Sequence, residues 1–129
     1  MIHSLAELNG GNEMKLTLNR TEEQKSSFFT GTSTLYHLDV NLEATPEEMA
    51  LIRKHRFDTM PFCEGMFLAT RVIEVTVGNV VGKPERFSFR SLQELAYVEN
   101  QVIENAKKLK QQLEAAAGYT SGGPREVEL

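Results

Sequence analysis

Cysteine occurs once in the 129 residues, at Cys63. An internal disulfide is excluded, and so is a cysteine-based zinc site within one chain. No apolar run approaches the roughly 20 residues that cross a bilayer, and no basic segment followed by an apolar stretch opens the chain. Together these absences predict a soluble protein of the reducing cytoplasm with no membrane attachment. A basic excess is also missing, the formal net charge being −4. Proteins that hold phosphate backbones by bulk electrostatics carry a cationic surplus, so nucleic acid is not an expected partner except through a local basic patch. Three histidines are present, His3, His37 and His55, and none pairs with another ligand at a recognised metal spacing. "GNVVGKP" has the spacing of neither a phosphate loop nor a nucleophile elbow. No metal, cofactor or catalytic residue is assigned, and no internal repeat is visible.

With 40% hydrophobic and 25% charged residues, the chain has the composition of one ordinary globular domain, long enough to bury a core unaided. Residues 1–13 end in Gly10, Gly11 and Asn12 and read as an extension that can be disordered; Met14 is a candidate natural start, since two glycine codons can spell a ribosome-binding sequence before it. Residues 14–118 form the expected domain. Residues 119–129 form a flexible tail, or a short edge strand through Val127 and Leu129.

Within the domain, Leu16 and Leu18 alternate with polar residues, and Tyr36, Leu38, Val40 and Leu42 do the same, which predicts two antiparallel strands. The long connection between them carries Phe28 and Phe29, which form a candidate contact site or fold back onto the core. Thr45, Pro46 and Glu48 spell a capping box, so a short helix starts there and runs to about Arg56 or Phe57. "GMFLATRVIEVTVGN" reads as one strand, with "PERFSFRS" as its partner. Ser91 with Glu94 opens a second, long helix that continues to Gly118, with Leu92, Leu95, Ala96, Val102, Ile103, Ala106, Leu109 and Leu113 on its apolar stripe. The expected class is α+β: a largely antiparallel sheet of four or five strands packed by one short and one long C-terminal helix, in the order β-β-α-β-β-α-β.

"LIRKHRFDTMPFCEG" concentrates reactive and charged side chains. Arg53, Lys54, His55 and Arg56 point about 100° apart on a helix, so they form no single face. They suit the helix C-terminus instead, and His55, beside Leu51 and Ile52, reads as a structural histidine. Cys63 has Glu64 for a neighbour and lacks the electropositive setting of a reactive thiolate. The apolar loop with Met60 and Phe62 either covers the sheet or meets a partner, and is the second candidate contact site. His37, beside Asp39 and Asn41 on the polar strand face, reads as solvated.

Two charges break their patterns. Glu99 falls in the apolar stripe of the long helix and Arg71 on the apolar face of its strand, so the two are expected to meet as a buried pair or at the base of a pocket. The long helix matches the diameter of the whole domain, so Leu109 and Leu113 are expected to outrun the sheet and be covered by a second copy. The reading that follows is a non-catalytic interaction or regulatory domain, an adaptor or inhibitor, homodimeric and contacting another protein. A small-ligand site or enzyme pocket near Glu99 and Arg71 is the alternative, and nucleic-acid binding through local bases a further one.

Overall fold

Leu16 and Leu18 turn inward from the first strand, β1 (Lys15–Ser27), and Leu38, Val40 and Leu42 from the second, β2 (Gly31–Glu43). The computed structural model of the chain describes residues 14–28, 31–67 and 71–121, with the side chains of 67, 71 and 118–121 left aside. β1 and β2 pair antiparallel from Lys15 opposite Glu43 to Ser27 opposite Gly31. Helix α1 (Pro46–Lys54) follows, started by Thr45, whose hydroxyl accepts from the Glu48 amide at 3.1 Å while the Glu48 carboxylate accepts from the Thr45 amide at 2.9 Å. The helix stops at His55, because Arg56 takes a left-handed conformation with φ 60° and turns the chain into a short 3-10 turn at Phe57–Thr59.

The stretch read as one strand is two. β3 (Pro61–Phe67) and β4 (Arg71–Thr76) pair antiparallel with each other, Gly65 opposite Ile73. Alternation alone cannot see such a fold-back, because parity need not carry across a turn. Arg71 starts β4, on the same parity as Ile73 and Val75. A single helical turn, α2 (Val77–Val80), then leads to β5 (Glu85–Phe89), whose partner is β2 and not β4. The fold is thus α+β, with strands in the order β1-β2-β5 in one sheet and β3-β4 in another.

The long helix, α3 (Leu92–Ser121), begins where the Ser91 hydroxyl accepts from the Glu94 amide at 3.2 Å. It passes through Gly118, which weakens a helix by about 1 kcal/mol without ending it. Leu95, Val98, Val102, Ala106, Leu109 and Leu113 form its buried stripe; Leu92, expected there, is half exposed. Leu109 and Leu113 are 0% and 4% exposed within a single chain, in the same core cluster as Ile52 of α1. The overhang that motivated a second copy is therefore absent: both leucines are covered within their own chain, where α1 also contacts α3.

Packing of α3 on β3 is unusually close at Gly65, where a Cβ would come within 2.7 Å of Val98 Cγ2. Glycine is required there by space, not by conformation. The same approach lets α3 cap the β3 edge: the Gln101 amide accepts from the Glu64 N–H at 3.0 Å and donates to the Glu64 carbonyl at 2.5 Å, and Asn105 donates to the Phe62 carbonyl at 2.8 Å. The spacing explains the match, since four helical residues rise about 6 Å and two strand residues about 6.6 Å.

Candidate interaction surface

The β1–β2 hairpin outgrows its sheet. Along β2, β5 pairs with Tyr36–Val40, so Gly31–Leu35 and the β1 residues opposite extend past it, by about 17 Å at ~3.4 Å per residue. Most of this ribbon is exposed, and Phe28 at its turn is 96% exposed. Phe29, the second aromatic of the expected contact, lies outside the described residues. The other expected contact is corrected: Phe62 is 0% exposed and Met60 packs against the core, because the loop folds as the start of β3 beneath α3.

Glu99 finds its cation on β1. Arg20 Nε donates to Glu99 Oε2 at 3.2 Å and Arg20 Nη2 donates to Oε1, and this pairing raises the guanidinium pKa above its ordinary value. The Glu99 side chain keeps 18% of its exposure, so the pair sits at the margin of the stripe. The side chain of Arg71 lies outside the described residues. Arg20 occurs on the inward-facing parity of β1 after Leu16 and Leu18, which was the available signal for it.

His37 is 6% exposed, against the expectation that it is solvated. It stands in the middle strand, between Thr21 of β1 and Ser88 of β5. Its Nδ1 lies 2.7 Å from Ser88 Oγ and its Nε2 2.9 Å from Glu23 Oε1. A carboxylate only accepts, so Nε2 carries a proton; in the neutral ring Nδ1 then accepts from the Ser88 hydroxyl. Hydrogen bonding from His37, and then the charge of Lys25, hold the Glu23 carboxyl below its usual range. Beside this chain Arg86 donates to Asp39 through Nε at 2.6 Å and Nη2 at 3.0 Å and depresses its carboxyl likewise. Both clusters tie neighbouring strands together on one face. A one-residue slip would turn all of these groups toward the core.

Burial pushes the Cys63 thiol up to about 12, which keeps it protonated and unreactive. His55 stacks on Phe57 with centroids 5.4 Å apart, in the structural role expected of it, while Arg53 and Lys54 are exposed at the end of α1. Among the described residues no group of histidine, cysteine and carboxylates could hold a metal ion, and no helix is long and apolar enough to cross a membrane.

The β3–β4 hairpin presents a second surface. Met66 and Val72 are cross-strand partners and 44% and 67% exposed; beside them Glu64 lies directly opposite Glu74. Like charges opposite one another are destabilising. Between β4 and β5 opens a cleft of about 470 Å³, lined by Ile73, Glu74, Val75, Asn79 and the β5 residues Glu85–Ser88. None of these residues stood out in the sequence, because the cleft exists only once β3 and β4 fold back on one another. Comparison with protein-family models, with curated proteins and with solved structures finds no match.

Proposed function

We propose that the chain is a non-catalytic interaction domain of adaptor or inhibitor type, acting in a reducing, cytoplasmic setting. The observation that carries this reading is the hairpin ribbon, which runs beyond β5 and ends in a phenylalanine that is 96% exposed. A two-stranded ribbon alone in water is marginally stable, and a large aromatic at its tip gains nothing from solvent; both are favoured by a partner that covers them. Of the two partners expected, a second copy and another protein, we favour another protein, since Leu109 and Leu113 are covered by their own chain.

Phe28→Asp tests the reading. Because the side chain is exposed, the variant is expected to keep the wild-type melting temperature and to lose proteins that the wild type retains in pull-downs. Retention of the same proteins by Phe28→Asp, or a tightly bound small molecule in native mass spectrometry of the wild type, would count against it.

A further inference from the structure

We propose that the outer edge of β4 takes an extended, basic segment of another protein as an added strand. This rests on the reading of the chain as an interaction domain and gives that reading a second site, separate from the hairpin tip.

The hydrogen-bonding alternation of the hairpin locates the edge. Gln101 bonds both backbone groups of Glu64 from the side away from β4, so Glu64 opposite Glu74 is a pair without direct backbone bonds. It follows that the N–H and C=O groups of Val72 and Glu74 point outward from β4. Thr76 obeys the same parity, and its outward N–H is taken by Asn79 Oδ1 at 2.9 Å. The fold thus closes the β3 edge with Gln101 and Asn105 and one end of the β4 edge with Asn79. Among the described residues, no group bonds the outward backbone of Val72 or Glu74. An uncovered edge is a template for another strand.

The chemistry around this edge selects the strand. Side chains of an added strand alternate between two faces. On one face they meet Val72 and Glu74; on the other they enter the cleft against Ile73 and Val75. The cleft, at about 470 Å³, lies in the range that holds a ligand. Glu64, Glu74 and Glu85 are exposed, and none of the three takes part in an ion pair among the described residues. Arg86, the one cation among the described residues that line the cleft, is committed to Asp39 through two hydrogen bonds. The surface is therefore negative around apolar positions. A lysine or arginine opposite Glu74, flanked by apolar residues, complements it and relieves the like-charge pair.

The test uses the full chain, labelled with nitrogen-15, and the peptide acetyl-Lys-Val-Lys-Val-Lys-amide, with glutamate in place of lysine as control. The lysine peptide is expected to shift the amide signals of Val72 to Val75 and to slow hydrogen exchange at Val72 and Glu74. Its affinity should fall as salt rises, and roughly tenfold in the Glu74→Lys/Glu85→Lys double variant. The control peptide should leave the spectrum unchanged. The proposal is overturned if the β4 signals do not respond, or if the double variant binds equally well. It is also overturned if Val72 and Glu74 exchange slowly without peptide, which would mean that this chain or a second copy already covers the edge. Phe28→Asp separates the two sites. If it loses its protein partners while the peptide fails at β4, the interaction reading stands and this one does not.

Discussion

Replacing Gly65 by alanine probes the closest contact between helix and sheet. The new Cβ would stand 2.7 Å from Val98 Cγ2, against the 3.4 Å at which ordinary contact begins, so the two must separate by about 0.7 Å. Val98 is 1% exposed and has little room to yield. Overpacking of this kind costs roughly 1–3 kcal/mol. Against it stands the loss of glycine's unfolded-state freedom, which favours alanine by about 0.4–1 kcal/mol. The clash wins, and a net loss of about 1–2 kcal/mol is expected. Val98→Ala alone removes two buried methyl groups, costing about 1.6 kcal/mol in transfer and more for the cavity. It also clears the space that the methyl group introduced by Gly65→Ala needs. The double variant should therefore be no less stable than Val98→Ala, giving a coupling of about 1–2 kcal/mol in the favourable direction. Urea denaturation followed by circular dichroism measures all four corners of the cycle, and suits a chain without tryptophan. Additive losses, or a Gly65→Ala protein within about 0.5 kcal/mol of wild type, would refute the packing argument.

Leu109→Ala should cost about 2–5 kcal/mol, with wild type and variant alike melting at temperatures independent of protein concentration, since Leu109 is buried within the chain; dependence on concentration would reinstate a second copy. Acid should destabilise the fold partly through Asp39, whose carboxyl is depressed by hydrogen bonding from Arg86. A depressed carboxyl contributes stability above its unfolded value near 3.9 and loses it as pH falls through the folded value. Thermal melts of Asp39→Asn should be flatter than wild type below about pH 4, and equal slopes would exclude the pair. Cys63 works in the opposite direction: with its thiol raised to about 12, stability should decline once pH exceeds the unfolded thiol value of about 8.5. Iodoacetamide should label it only as the protein opens, and rapid labelling of the folded protein at pH 8 would show that it is not buried.

Local signals carried the elements. The capping box at Thr45 and Glu48, the start of α3 at Ser91, the alternation around Leu38 and Val40, and the helical stripe from Leu95 to Leu113 all act within a few residues of one another. Such signals can be read along the chain because the physics behind them is short in range. Cys63 as an inert thiol and His55 as a structural ring follow from their neighbours in the same way.

Pairings were a different matter. Whether β4 folds back on β3 or meets β5, whether Glu99 meets Arg20 of β1, and whether its own chain or a second one covers Leu109 each depend on contacts that local periodicity does not encode. Alternation is blind to the fold-back of β4 on β3, and composition alone is blind to the burial of Phe62 beneath α3, so the apolar loop read as a candidate contact site. The contact surface of Met66, Val72 and Glu74 emerges only from that fold-back, and the open edge of β4 only from the amides of α3 that close the edge of β3. Which segments become strands and helices, and which face of most of them is apolar, is written in the chain, because neighbouring residues settle those choices. Which edges and charges find partners is settled only by packing, because it depends on groups brought together from as far as 79 positions apart.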